Sequence, residues 1–280
     1  MHFKNSGLHS SDFRAYFINF TENVLYWHTS FALFLTQRPN QIIKMSSNDH
    51  EASTSLPSSK LGTQEHWDDV YIREVKNFDE IGDEGEIWFG EDAVERMVDF
   101  LEREAEDENL AKDIHVLDLG TGNGHLLFAL LELDQPLAKP EHMLGIDYSA
   151  PSIDLCKRIA IARGQDAQKI RFEQIDFLQN VESLKQERWN LVCDKGTLDA
   201  IALSSASKDK ATPISQYVQS LEKITTTKDL FLITSCNFTE QELIKIFKES
   251  FNVYHVIPVP SFSFGGQKGS TTVTIAFQRK

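Results

Sequence analysis

The chain has 280 residues, of which 41% are hydrophobic and 25% charged, an ordinary composition with room for one domain and a full core. Its formal net charge of −14 argues against nucleic acid as a partner, because a phosphate backbone is bound by clusters of lysine and arginine. No apolar run approaches the roughly 18 residues that are needed to cross a bilayer, so we expect no membrane partner.

The three cysteines, Cys156, Cys193 and Cys236, are far apart in the sequence and odd in number. This spacing fits neither a disulfide framework nor a metal site, so we expect free thiols in a reducing compartment, the cytoplasm, and no bound metal. Nothing in the sequence requires more than a monomer. The acidic charge is compatible with a basic protein partner, although acidic surfaces also serve solubility alone.

Residues 1–60 do not share the periodic pattern of the rest of the chain. The first 44 are rich in aromatic residues and histidine and contain more basic than acidic residues, which is compatible with a transit peptide. The polar, serine-rich stretch that begins at Met45 instead favours a native start at Met45. We therefore expect 1–60 to be a disordered extension and 61–280 to form the folded domain.

Two amphipathic helices come next. The spacing of apolar residues predicts one helix over 64–78 and a second over 91–106. The loop between them, 82–90, contains two aromatic residues that we expect to be exposed, Trp88 and Phe89.

The stretch 115–119 predicts a buried β-strand that runs into a glycine-rich turn and then a helix over 125–133. Gly120, Gly122 and Gly124 have no Cβ and can take positive φ, so a ligand can lie against bare backbone at the N–H groups of the helix N-terminus. The spacing is G-x-G-x-G, unlike the G-x-G-x-x-G of dinucleotide folds. It favours S-adenosylmethionine over a pyrophosphate ligand, although a tight turn without any ligand has the same pattern.

Strands and helices alternate in the remainder of the chain. Helices are predicted from Ser149 as N-cap to Gly164 as C-cap, over 215–224, and after a capping box of Thr239 and Glu242. The further predicted strands are 143–147, 170–175, 191–194, 230–234, 252–257 and 272–277. The alternation predicts an α/β fold with helices on both faces of a mostly parallel, Rossmann-like sheet of seven strands. Because only the loop 258–270 joins the last two strands, we expect the last strand to be antiparallel, as in class I methyltransferases.

Four acids lie at the carboxyl ends of four successive predicted strands: Asp118, Asp147, Asp176 and Asp194. In open parallel sheets, ligands bind outside the carboxyl ends of the strands. Asp147 is placed to accept both hydroxyls of a ribose. Asp176 is placed to accept a hydrogen bond from an adenine amino group, with Phe177 against the ring.

Each acid alone also has a structural explanation, since Asp147 can belong to a helix N-cap and Asp176 can start a turn. A bound NAD would explain the acid after the second strand. However, NAD predicts G-x-G-x-x-G and a second domain for the hydride acceptor, and the sequence offers neither. The predicted cofactor-binding residues are Asp118, Gly120, Thr121, Gly122, Gly124, Asp147, Tyr148, Asp176, Phe177 and Asp194.

Three strings, L-G-T-G-N-G at 119–124, G-I-D-Y-S at 145–149 and D-K-G-T-L-D-A-I at 194–201, carry a family resemblance. Together with E-I-W-F-G at 86–90 and F-S-F-G-G at 262–266, they resemble the fungal and animal protein-lysine methyltransferases that modify translation elongation factor 1-alpha. The resemblance covers 61–280. Phe238 departs from it, because related sequences often have tryptophan there.

The resemblance implies S-adenosylmethionine as cofactor and the transfer of one or two methyl groups to a lysine ε-nitrogen of elongation factor 1-alpha. The amine must be neutral, and an apolar channel lowers its pKa. Trp88 and Phe89 are candidates to form that channel, where their rings attract a cation, or else they pack in the core. Asp194 is a candidate to hold the amine or accept its proton through water, or else it caps the turn at Gly196. Lys195 is interpreted as a surface or loop-bracing residue.

Two other functions stay open at this point. One is a class I methyltransferase that acts on another protein lysine or on an N-terminal amine. The other is a non-catalytic, methyltransferase-like binding module, against which the intact glycine loop and Asp147 argue.

Overall fold

The computed structural model of the chain describes residues 58–204, 211–259, 262–264, 267–269 and 271–280. The predicted N-terminal extension lies outside the described residues except for its last three, and the predicted loop 258–270 lies partly outside them. Within the described ranges, every helix is too short or too polar to span a lipid bilayer.

The N-terminal part of the fold consists of a 3₁₀ turn, Lys60–Gly62, and two helices, α1 (Gln64–Ile81) and α2 (Glu91–Glu106). Both helices are confirmed. Helix α1 runs three residues further than predicted and ends where Gly82 takes a left-handed conformation, with φ of 75°, as glycine does at many helix ends.

The described chain forms a seven-stranded sheet in the order β3-β2-β1-β4-β5-β9-β6. Strand β9 is antiparallel to both of its neighbours, and the other adjacent pairs are parallel. The predicted α/β fold with an antiparallel last strand is therefore confirmed. The strands of this sheet are β1 (Val116–Leu119), β2 (Met143–Asp147), β3 (Arg171–Gln174), β4 (Leu191–Lys195), β5 (Leu230–Ser235), β6 (Phe251–Ile257) and β9 (Val273–Arg279).

The remaining helices are α3 (His125–Leu131), α4 (Ala150–Arg163), α5 (Thr197–Ala202), α6 (Pro213–Ile224) and α7 (Glu240–Phe247). The predicted capping box of Thr239 and Glu242 is present at the start of α7. Helix α5 was missed because six residues are too few for a helical period to show. A hairpin of β7 (Phe262–Phe264) and β8 (Gln267–Gly269) was also missed, in the segment predicted to be a loop.

Buried side chains pack on both faces of the sheet, as predicted. One cluster draws on α1 to α4 and includes Tyr71, Phe100 and Phe128. The other draws on α5 to α7 and includes Trp189 and Tyr217, both fully buried.

The register of the sheet brings the predicted site residues to one edge. Leu119, the last residue of β1, pairs with Ile146 of β2 on one side and with Asp194 of β4 on the other. Because these strands are parallel, their carboxyl ends open on the same side. The glycine loop therefore lies between Asp147 and the turn that follows Asp194.

Candidate active site

The glycine loop has the backbone that its sequence predicts. Gly120, Gly122 and Gly124 have φ of 61°, 62° and 78°, a region that side chains with a Cβ rarely adopt. The protein's own packing imposes a second requirement. A Cβ on Gly120 would lie 2.1 Å from the Thr197 hydroxyl oxygen, and one on Gly122 would lie 2.8 Å from the Tyr71 hydroxyl oxygen. The loop is thus held between α5 and α1.

Asp147 fastens the glycine loop to the end of β2. Its Oδ2 accepts a hydrogen bond from the Gly122 N–H at 3.2 Å, and its Oδ1 accepts one from the Ser149 N–H at 2.9 Å. Burial raises the pKa of this carboxyl to about 6, although these backbone donors oppose the rise. Since a carboxylate oxygen can accept two hydrogen bonds, each oxygen retains capacity for a ligand hydroxyl.

Asp118, on β1, stabilises the glycine loop. It is buried, and its Oδ2 accepts a hydrogen bond from the Thr121 hydroxyl at 2.7 Å. Burial raises the pKa of Asp118 to about 6, while the bond from Thr121 lowers it. The hydrogen bond between Asp118 and Thr121, both predicted cofactor-binding residues, therefore helps to fix the conformation of the glycine loop.

Asp176 and Phe177 follow β3 at the same edge of the sheet. Oδ1 of Asp176 accepts hydrogen bonds from the Leu178 N–H at 2.8 Å and the Gln179 N–H at 3.2 Å, which is the turn that its alternative explanation predicts. Phe177 is buried, and its ring meets the Tyr217 ring edge-on with centroids 5.3 Å apart. Their roles at an adenine ring stay predictions.

Asp194 is completely buried at the end of β4. Its Oδ1 accepts a hydrogen bond from the Thr197 N–H at 2.8 Å. Its Oδ2 accepts from the Leu198 N–H at 3.0 Å and from the Tyr217 hydroxyl at 2.6 Å. Burial raises the pKa of Asp194 to about 7, against the effect of these donors. The arrangement is that of a helix cap, so Asp194 positions the first turn of α5.

Lys195 connects the same turn to the predicted aromatic pair. Its Nζ donates a hydrogen bond to the Trp88 carbonyl oxygen at 3.0 Å, which confirms the loop-bracing interpretation. Phe89 takes a left-handed φ of 69°, and its ring lies so close to Gly196 that a Cβ there would be 3.0 Å from the ring. The Trp88 ring meets the Trp67 ring edge-on at 4.9 Å. The expectation that Trp88 and Phe89 are exposed is wrong: both are half-buried, because they pack against Trp67 and Gly196 beside the turn after β4.

Asp199 was not predicted as a site residue, although it lies within the D-K-G-T-L-D string. Its Oδ1 accepts hydrogen bonds from the Ser235 hydroxyl at 3.0 Å, the Cys236 N–H at 3.0 Å and the Asn237 N–H at 2.6 Å. Its Oδ2 is buried and has no partner among the described residues. Asp199 therefore ties α5 to the loop that follows β5.

Helix α1 was predicted only as an amphipathic helix, yet it covers the site. Nε2 of Gln64 donates a hydrogen bond to the Tyr148 carbonyl oxygen at 3.1 Å, and the Tyr71 hydroxyl lies against Gly122. Tyr148 itself is half-buried. These contacts join residues far apart in the chain, so a helical pattern carries no signal for them.

The electrostatics of this edge favour a cationic ligand. Burial raises the pKa of Asp118, Asp147, Asp194 and Asp199 alike, and a nearby cation stabilises the charged form of such groups. Within the described part of the chain, no three His, Cys, Asp or Glu side chains are grouped to hold a metal ion.

Comparisons with known proteins agree with this geometry. Residues 110–278 match a family model described as a methyltransferase domain. The chain is 47% identical to protein-lysine N-methyltransferase efm4 of Schizosaccharomyces pombe over 80% of this chain and 96% of that protein. It is 39% identical to human EEF1A lysine methyltransferase 2 over 79% of this chain and 87% of that protein. A solved S-adenosylmethionine-dependent methyltransferase from Clostridium acetobutylicum has a similar fold, with a TM-score of 0.52 at 13% identity over 75% of this chain and 98% of that one.

We predict that Glu74→Gln stabilises the protein more at pH 8 than at pH 5. Glu74 on α1 is 9% exposed, and burial raises its pKa from 4.5 to about 7. A carboxyl whose pKa is higher in the folded than in the unfolded state favours folding while it is protonated, and this contribution is lost as the pH rises from 4.5 through 7. Glutamine does not titrate, so its relative advantage should grow by about 2–3 kcal/mol.

Urea unfolding at the two pH values measures this difference. The control is Glu80→Gln, which changes an exposed residue on the same helix and therefore removes no buried carboxyl. An equal effect of Glu74→Gln at both pH values would contradict the raised pKa.

We predict that Asp194→Ala lowers the free energy of unfolding by about 2–4 kcal/mol, because it leaves three buried donors without an acceptor. Tyr217→Phe removes only one of these hydrogen bonds and should cost about 1–2 kcal/mol. Urea denaturation of both variants measures the losses. An Asp194→Ala protein that is as stable as the wild type would argue against the capping role.

Proposed function

The chain belongs to the family of protein-lysine methyltransferases that includes efm4 and EEF1A lysine methyltransferase 2, and from that premise we propose that it methylates a lysine of translation elongation factor 1-alpha. The observation that carries the proposal is the extent of the similarity. Identities of 37–47% run through about 80% of this chain and through most of the length of proteins that are named EEF1A lysine methyltransferase 2 or protein-lysine N-methyltransferase EFM4.

The residues at the carboxyl edge of the sheet fit S-adenosylmethionine. This cofactor supplies a methyl group bound to a cationic sulfonium. The bare backbone at Gly120 to Gly124 admits a close ligand, and Asp147 has acceptor capacity for ribose hydroxyls. Asp118 and Thr121 support the loop from within, and Asp194 fixes the turn beside it. We propose that Tyr148, Asp176 and Phe177 border the adenine.

The methyl acceptor must be a neutral amine, and at pH 7 deprotonating a free lysine costs about 4–5 kcal/mol. An apolar environment lowers this cost, because it disfavours the charged ammonium. We propose that Trp88 and Phe89 provide that environment. The Phe89 ring packs on Gly196, directly after the end of β4, and Lys195 holds the Trp88 carbonyl. The rings can also attract the cation as it arrives.

Catalysis in this arrangement consists mainly of orientation, since a displacement needs the amine and the methyl group in line. Asp194 contributes by holding the α5 turn against which Phe89 packs. Its bonds fix that turn and its side chain is completely buried, so we propose a positioning role for Asp194 in place of direct contact with the amine. The lysine proton would leave to solvent before the transfer.

Purified elongation factor 1-alpha from cells that lack this protein is the test substrate. We expect radiolabel from S-adenosylmethionine to enter it, and mass spectrometry to place the methyl groups on lysine. A Trp88→Ala variant should retain cofactor affinity and lose most of the turnover.

The same assay run on a whole lysate separates the alternatives. Label in a different protein, or at an N-terminal amine, would reject the substrate and keep the activity. Label in no protein, together with normal cofactor binding, would favour a non-catalytic binding module.

We predict that Asp147→Ala weakens the binding of S-adenosylhomocysteine at least tenfold, because charge-assisted hydrogen bonds to the ribose are lost. Isothermal titration calorimetry measures the affinity. Glu173→Ala, an exposed residue on the adjacent strand, serves as the control. Thermal melts establish that each variant is folded, and unchanged affinity in a folded Asp147→Ala protein would rule out its ribose role.

A further inference from the structure

One face of helix α1 packs against the carboxyl ends of the sheet strands, where we propose that the cofactor binds. Gln64, Asp68 and Tyr71 are spaced by four and three residues, so they lie on the same face of the helix. Gln64 is bonded to the Tyr148 carbonyl at the end of β2, and Tyr71 lies against Gly122 of the glycine loop. Asp68 therefore lies on the helix between Gln64, which contacts the end of β2, and Tyr71, which contacts the glycine loop.

Asp68 has an unsatisfied carboxylate. Its Oδ1 is buried and has no hydrogen-bond partner among the described residues. Burial of such an atom without a donor costs free energy, so a retained one calls for a physical reason. A negative charge on Asp68 is further disfavoured by its neighbours Asp147 and Tyr148. The charge of Asp68 adds to the rise of the pKa of both residues.

A ligand that brings hydrogen-bond donors removes this cost. Asp147 already uses one acceptor position on each oxygen for a backbone N–H, so a second carboxylate adds acceptor capacity where it is limited. The Ser149 hydroxyl, which is buried beside them, also lacks a partner within the described chain. Around Asp147, hydrogen-bond acceptors therefore outnumber the donors that the described part of the protein supplies.

We propose that Asp68 is a second ribose ligand, so that one carboxylate from α1 and one from β2 share the two hydroxyls of the S-adenosylmethionine ribose. The inference rests on the proposed function, since it assumes that cofactor. The diol is preferred over the cofactor's ammonium because Asp68 is coupled to Asp147 and Tyr148 at the end of β2, where nucleotide folds bind the ribose.

A consequence concerns the acceptor side of the site. Trp67 precedes Asp68 in the chain, and its ring contacts Trp88. A ribose held by Asp68 would therefore draw α1 towards the cofactor on one side while the same turn of the helix supports the aromatic pair on the other.

Calorimetry with two ligands tests the assignment. S-adenosylhomocysteine carries both the ribose diol and the amino-acid ammonium, whereas 5′-methylthioadenosine carries the diol alone. We expect Asp68→Ala to weaken both ligands by the same factor, about tenfold or more. Asp68→Asn, which retains the shape but not the charge, should weaken both by a smaller factor. Asp69→Asn, at the next and exposed position of the helix, should weaken neither.

The outcomes separate the possible explanations. Weaker S-adenosylhomocysteine binding with unchanged 5′-methylthioadenosine binding would assign Asp68 to the ammonium and overturn the diol. Unchanged binding of both by folded variants, as judged by thermal melts, would overturn any cofactor role for Asp68. A wild-type protein that binds neither ligand would refute the proposed cofactor itself, and the inference would fall with it.

Discussion

The geometry of the site depends on one buried carboxylate, that of Asp194. It has no contact with solvent, and it accepts hydrogen bonds from two backbone N–H groups of α5 and from the Tyr217 hydroxyl. A charge in such a place is tolerated only when donors surround it. The chain therefore leaves strand β4 in a single way, and the positions of the five residues after Asp194 follow from that turn.

Four of those five residues contact other parts of the fold. Lys195 holds the carbonyl of Trp88, Gly196 receives the ring of Phe89, Thr197 donates to the Leu119 carbonyl at 2.6 Å, and Asp199 holds the loop after β5. The D-K-G-T-L-D string therefore joins these parts of the fold. It sets the distances between the cofactor loop, the aromatic pair and the end of β5.

The predictable and unpredictable parts of the site divide by the range of the interactions. The strand that precedes Gly120 and the capping box at Thr239 are local patterns, and both were visible in the sequence. Lys195 and Trp88 are 107 residues apart, and Gln64 and Tyr148 are 84 apart, so their contacts exist only after the sheet has assembled. The same limit applies to the hydrogen bond between Asp194 and Tyr217, since Tyr217 lies on α6, outside any local pattern.

Under the proposed function, Asp194 acts by positioning the first turn of α5, and the reaction needs no dedicated base at that position. If Trp88 and Phe89 provide the proposed apolar environment, a lysine that enters between them loses water before it meets the methyl group, and desolvation lowers the pKa of an amine. Deprotonation is then a consequence of entry into the channel, and the protein's task is to hold the amine in line. The strained φ of Phe89, 69°, fits this account, because a costly backbone conformation persists where the surrounding contacts fix it, here through Lys195 and Gly196.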